Sequence, residues 1–306
     1  MRNTGRAAVG LVALLLTAGC SSQTPRSPAP ALGPIPEITS VDAISLPIDS
    51  YIPTSAQILA LQKATDVASA HCMHSYGLPY HPPIMEGFAD FARQNKVRTA
   101  LYGFFDLSTA RSKGYDTQLG SPDGTSNEVP YTMTEMGVLR GQSASGTTVA
   151  TFKDKKVPVG GCRQQGIDAI GGPPPIPAAE ALPEGGPKIP SDHPHMKVVN
   201  ARWAACMKGK GFMYPNPWAA YSSPKWRASA AGSPPRHTAH TSEEIATATA
   251  DVECKLSTNL VGVAVAVEIA YDRQYIEAHT AQLAKFKQRL GDQLRAAARL
   301  TGSSSA

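Results

Sequence analysis

The chain reads CMHSYGLPYHPP from Cys72 to Pro83 and CMKGKGFMYPNP from Cys206 to Pro217. Both stretches follow one pattern, Cys-Met-x-x-x-Gly-apolar-x-Tyr-x-x-Pro, and they start 134 residues apart. What precedes each is helical in pattern. TSAQILALQKATDVASAHCMHSY, residues 54–76, sets Thr54 three residues before Gln57 as a capping box and brings Ile58, Leu61, Thr65, Ala68 and Cys72 near one face. SDHPHMKVVNARWAACMKGK, residues 191–210, spaces Val199, Trp203 and Cys206 three and four apart and predicts a helix starting near Ser191 or Asp192. Gly77 and Gly211 then supply left-handed C-caps. In both copies the cysteine stands five residues before the glycine, one turn inside the helix end, where a disulfide would pin that end to the core.

This device, used twice, predicts a mainly α protein: an irregular helical body, stapled by disulfides, with Pro- and Gly-rich loops. Apart from Cys20 the cysteines are Cys72, Cys162, Cys206 and Cys254, an even set. Four cysteines permit three pairings, and sequence alone leaves all three open. The simplest scheme gives each Cys-Met copy the next cysteine as partner, Cys72 with Cys162 and Cys206 with Cys254. Four thiolates on a metal is the competing reading, but no C-x-x-C spacing occurs.

The N-terminus, MRNTGRAAVGLVALLLTAGCSSQ, places Arg2 and Arg6 before an apolar run from Ala7 to Leu16 and small residues before Cys20. The run is too short to span a bilayer and has the flanks of a processing site. Residues 1–19 therefore read as a lipoprotein signal peptide, with Ala18, Gly19 and Cys20 as a lipobox whose cysteine takes the lipid. Thr17 stands where leucine is usual; the alternative is an ordinary secretory peptide with Cys20 as a spare thiol. Removing Arg2 and Arg6 lowers the formal charge from +5 to +3, too mild a balance to indicate nucleic acid. Residues 20–49, rich in Pro and Ser, read as a lipidated cysteine followed by a disordered tether, and residues 50–300 as a single helical domain.

Within that domain PPIMEGFADFARQ, DLSTARSKG, TEMGVLRG and GGCRQQGIDAIGG predict brief helices, the second running from Asp106 to a stop at Gly114. GTTVATFKDKKVPV, residues 146–159, is the one strand-like run. Residues 172–190 and 215–240 are heavy in Pro, Gly, Ser and Ala and predict loops, the first a candidate for disorder. The strongest helical pattern is the long C-terminal segment 242–300, capped by Thr241 with Glu244 and free of proline, with 301–306 as a disordered tail. Unbroken, such a helix would reach ~80 Å, so its distal half is expected to project or to fold back at Gly291. Ile269, Ile276, Leu283 and Leu290 recur by sevens with Phe286 between the last two, a partial heptad seam for an envelope protein partner or for the body's own loops.

The lipobox, the tether, CMKGKGFMYPNP and EEIATATADVECKLSTNLVGVAVAVEIAYDRQYIEAH together resemble a family of uncharacterised secreted lipoproteins of actinobacteria, over about residues 45–300. The resemblance implies a location, the extracytoplasmic face of the cell membrane, and a style of fold. It implies no chemistry and transfers no site residues.

The remaining patterns are weak as chemistry. GQSASG at 141–146 lacks both the spacing and the preceding strand of a nucleophile elbow. His71 with His74, His193 with His195, and His237 with His240 would hold a metal only if two pairs converged, and scattered surface polarity is the simpler account. Glu243 and Glu244 suit a helix N-terminus. Glu268 is different: steps of seven from Cys254 pass Val261, Glu268 and Tyr275, so this carboxylate shares the cysteine's core-facing side and needs a partner there. It reads as a structural buried charge near the start of the Cys206 helix, or else as part of a polar pocket. The expected function is that of a non-enzymatic, lipid-anchored accessory or scaffold protein of the envelope or export machinery. The membrane is its partner through the lipid and an envelope protein through the C-terminal helix. The alternative is a solute- or metal-binding lipoprotein with a pocket near Glu268. Neither cofactor, metal, catalytic residue nor nucleic acid is expected.

Overall fold

A computed structural model describes residues 29–83, 104–115, 130–176, 178–228, 236–237 and 241–302. Residues 1–19, expected as a signal peptide, Cys20 and nearly all of PPIMEGFADFARQ lie outside the described residues. The described body is mainly helical, with α1 at Ser55–Ser75, α2 at Leu107–Lys113, α3 at Met133–Arg140, α4 at Gly161–Ala169 and α5 at Pro194–Gly209. After α6 at Pro217–Tyr221 come α7 at Ser242–Ser257, α8 at Leu260–Ala278 and α9 at Thr280–Thr301.

Both copies of the opening motif build the same helix end. In α1 the N–H of Leu78 reaches the Met73 carbonyl at 3.1 Å and that of Gly77 reaches His74 at 2.9 Å; in α5, Phe212 reaches Met207 at 2.9 Å and Gly211 reaches Lys208 at 3.0 Å. This is the Schellman arrangement, with a glycine at positive φ satisfying the last carbonyls. Met73 and Met207 are fully buried beneath it. The cysteine just before each methionine forms a disulfide, Cys72 with Cys162 and Cys206 with Cys254. The start of α5 differs from its expected place at Ser191 or Asp192. Pro194 occupies the first helical position, where its fixed φ and missing N–H cost nothing, and His193 becomes the N-cap.

Each disulfide belongs to its own core. Cys72, Met73, Tyr76, Val138, Leu139, Val157 and Cys162 pack together where α1, α3 and α4 meet. The larger core gathers α2, α5, α6, α7 and α8 around Trp203, Trp226 and Tyr115, all almost wholly enclosed. A third, small cluster of Leu61, Ala64, Ile170, Leu290 and Ala297 fastens α9 to α1 and α4. Helices α1 and α4 approach closely because of Gly166: a Cβ there would lie 2.2 Å from Ser69 Oγ and 2.6 Å from the Thr65 carbonyl.

The C-terminal segment is not one rod. It breaks at Asn259, whose φ is +49, and again at His279, while Gly291 stays inside α9. Asparagine tolerates the left-handed region through local hydrogen bonding, and its Nδ2 donates to the Pro36 carbonyl at 3.0 Å. Leu283, Phe286 and Leu290 of the expected heptad seam are turned into the body and buried. The apolar stripe of α9 is therefore largely consumed internally, and apart from Leu300 near its end the large side chains it leaves exposed are polar.

Four further expectations change. Of the residues 20–49 expected as a tether, those from about Pro36 belong to the body, because Ile38, Ile44, Leu46 and Ile48 are buried in the large core. The loop 172–190 is held in place: Leu182 is buried, the Tyr275 hydroxyl donates to the Pro183 carbonyl at 2.7 Å, and Gln293 Nε2 donates to the carbonyls of Gly172 and Pro173 at 3.0 and 3.1 Å. Within 215–240 the chain forms α6 and pairs β3, Arg227–Ala228, with β4, Arg236–His237. The strand expected over 146–159 is instead a minimal hairpin of β1, Thr151–Phe152, and β2, Lys155–Lys156. Lys153 and Asp154 turn it with φ of +47 and +61, the double left-handed turn that suits a two-residue loop.

Candidate functional site

Three polar constellations stand apart from the apolar packing. The first lies in the large core. Helical spacing along α7 puts Glu244, Thr247, Asp251 and Lys255 on one side, and all four are fully buried. Lys255 Nζ lies 2.8 Å from Asp251 Oδ2 and also donates to the Phe104 carbonyl. Trp203 Nε1 of α5 donates to Asp251 Oδ1 at 2.9 Å. Burial raises the Asp251 pKa, with Lys255 opposing, and burial lowers that of Lys255, with Asp251 opposing. The Tyr115 hydroxyl titrates far above its ordinary range, first because it is buried and then because Asp251 lies beside it. Glu244 does not complete the expected capping box. Thr241 Oγ1 accepts from its N–H, but the Glu244 side chain turns inward and accepts from the Tyr115 N–H at 2.9 Å.

The second constellation is on α8. Glu268 is 4% exposed and Asp272, one turn on, is 1% exposed; Asp272 Oδ2 accepts from the Ile48 N–H at 3.3 Å. The start of α5 lies beside this turn, since the His193 ring meets the Tyr271 ring edge-on with centroids 5.9 Å apart. Trp203 against Asp251 at 2.9 Å and Lys210 against Glu253 at 2.8 Å hold α5 against α7. Cys254, Val261, Glu268 and Tyr275 are all buried, although the break at Asn259 interrupts the helix on which that step of seven was counted. Burial and the neighbouring His195 lower the His193 pKa, with Asp192 opposing. At the other end of α8 the Tyr275 carbonyl, assisted by Glu184, raises that of His279.

The third is a surface cleft of about 530 Å³ between the C-terminal end of α4 and one side of α9. Asp168, Lys285, Arg289, Asp292, Gln293 and Arg299 line it. Nothing in the sequence analysis pointed there, because the basic positions of α9 looked like an ordinary solvated face. Their spacing was the available signal: Lys285, Arg289, Asp292 and Arg299 fall on one side of a helix, opposite Leu283, Phe286 and Leu290.

Among the histidines singled out earlier, His71 and His74 are exposed and His193 stacks on His195 with centroids 5.5 Å apart, while the side chains of His237 and His240 lie outside the described residues. Among the described residues no three His, Cys, Asp or Glu side chains gather closely enough to hold a metal ion, and no helix is long and apolar enough to cross a membrane. GQSASG is a turn stitched by its own hydroxyls, Ser143 Oγ lying 2.9 Å from Ser145 Oγ. Comparison with protein families, with curated proteins and with solved structures finds no match.

Proposed function

We propose that this chain is a lipid-anchored, extracytoplasmic accessory or scaffold protein of the cell envelope or its export machinery, working by contact and without catalysis, and akin to the secreted lipoproteins of actinobacteria that its sequence resembles. The carrying observation is the placement of its buried ion pair. Asp251 and Lys255 have no exposed side-chain surface and are engaged with each other, Trp203 and Phe104, so a substrate could not reach them. A general acid or base needs hydrogen-bond access to the group it serves. Two disulfides fit an oxidising compartment, and Cys20 with its small neighbours supplies the lipid attachment. The second reading, a solute-binding lipoprotein, gains support from the cleft beside α9 more than from Glu268.

Expressed in an actinobacterial host, the parent should fractionate with membranes through a high-salt wash, and Cys20→Ala should be released. Retention of Cys20→Ala in the membrane pellet would defeat the anchor. Crosslinking on intact cells followed by purification should then retain defined envelope proteins with the parent and lose them with Cys20→Ala. Recovery of the same set with both would show that the contacts do not depend on the anchored location.

A further inference from the structure

The α4–α9 cleft combines a surplus of unengaged positive charge with a buried hydrogen-bond acceptor that has nothing to accept. Lys285, Arg289 and Arg299 line it, and among the described residues no carboxylate pairs with any of them. The two acids at the rim are already occupied: Asp168 Oδ1 accepts from Gln164 at 2.8 Å, and Asp292 pairs with Arg295. Arg289 is steadied over the Phe286 ring, its guanidinium carbon 5.3 Å from the centroid. The Gln164 amide is neutral, so Asp168 keeps its charge, and an anion entering the cleft meets three cations against one unbalanced carboxylate, a net positive excess.

Gln293 adds a second, independent requirement. Its residue is 2% exposed and it lines the cleft. Its Nε2 donates to the carbonyls of Gly172 and Pro173, which fixes the amide orientation, since the flipped amide would set oxygen against two oxygens. Oε1 is left without a donor. A buried acceptor with no partner costs free energy until a donor arrives, and a fully ionised anion such as sulfate offers none. The matching ligand carries a negative group for the arginines and lysine together with a hydroxyl for Gln293. Arginine forks fit phosphate oxygens in pairs, and the volume falls within the usual span of small-ligand sites.

We infer that the cleft between α4 and α9 binds a phosphorylated polyol, either as a soluble sugar or polyol phosphate or as the headgroup of a phospholipid. The inference concerns a face distinct from the buried charges and does not require the lipid anchor.

The test uses the full chain in detergent micelles, titrated calorimetrically with inositol 1-phosphate, glucose 6-phosphate, myo-inositol and sulfate. At least one polyol phosphate should bind about tenfold or more tightly than sulfate, and myo-inositol should give no heat. Flotation of Cys20→Ala, which lacks the lipid, with vesicles of phosphatidylcholine alone, or with phosphatidylinositol added, assigns the source. Gain of binding only with the inositol lipid identifies a headgroup, and binding of the free phosphate alone identifies a soluble ligand. Lys285→Gln with Arg289→Gln, both on the exposed side of α9, should weaken the productive interaction about tenfold or more while leaving the unfolding transition in place. Absence of binding in every arm, sulfate binding as tightly as the polyol phosphates, or an unchanged affinity in the double variant would each overturn the inference. Membrane fractionation of Cys20→Ala reads the anchor separately, so either idea can fail alone.

Discussion

Replacing Lys255 by methionine keeps most of its buried volume and removes one charge of an enclosed pair. In the parent, Asp251 Oδ2 faces Lys255 Nζ at 2.8 Å, Asp251 Oδ1 faces Trp203 Nε1 at 2.9 Å, and neither charged side chain has any solvent exposure. Without Lys255 the carboxylate must stay ionised with no counter-charge or take up a proton. Either way Lys255→Met should destabilise by ~3–5 kcal/mol, a fall in Tm of roughly 10 °C for a domain of this size. Adding Asp251→Leu should recover ~2 kcal/mol of that loss, because the stranded charge goes as well. The recovery is partial. The Phe104 carbonyl still lacks its donor, at ~1–3 kcal/mol, while Trp203 Nε1 keeps the Asp251 main-chain carbonyl at 3.3 Å. Guanidinium unfolding without reductant, followed by tryptophan fluorescence, measures both variants. A loss below ~1 kcal/mol for Lys255→Met, or a double variant less stable than the single one, would refute the view of this pair as a mutually dependent buried couple.

Two histidines should titrate on opposite sides of the ordinary value in an NMR experiment, His193 below it and His279 above it. For His279 a raised folded pKa means that its contribution is present below the unfolded value of ~6.5 and fades as pH rises through the folded midpoint; Glu184→Gln should lower that midpoint, and a His279 midpoint below that of His193 would contradict the geometry. Gly166→Ala would ordinarily favour a helix, yet here it should destabilise by ~1–3 kcal/mol, since the Thr65 carbonyl cannot move aside as a side chain can. A stabilised Gly166→Ala would mean that α1 and α4 sit further apart than described. Glu268→Ala should cost ~1–3 kcal/mol and Glu268→Gln less, because the amide oxygen still accepts; equal losses in thermal unfolding would point to lost volume instead.

The helix ends were legible because they are local. Cys, Met, Gly and the apolar residue after it lie within seven positions and make their bonds within that span, so the pattern at Cys72 and at Cys206 is both cause and signature. The buried charges were legible only in part. Glu268 stood out against VGVAVAVEIAY, but Asp251 and Lys255 lie in a stretch already polar, where an i,i+4 acid and base look like surface decoration. What buries them is Trp203 and Phe104, far away in the chain. Gly291 misled for the same reason: local propensity allows a bend there, but Leu290 and Leu294 on either side are anchored in the cluster with α1. The segment Ile44, Leu46 and Ile48 carried a readable alternation that the surrounding prolines and serines obscured.

The order of the cysteine pairs along the chain has a consequence for how the protein is made. With Cys20 set aside, the cysteines pair consecutively in order of synthesis, Cys72 with Cys162 and then Cys206 with Cys254, so joining neighbours as they emerge gives the correct links without reshuffling. The stretch 36–48 cannot finish in the same sequence. Ile48 docks on Asp272 and Pro36 on Asn259, partners more than 220 residues downstream. Its isoleucines therefore stay uncovered through nearly the whole of synthesis, and the segment that emerges among the first is among the last to find its place.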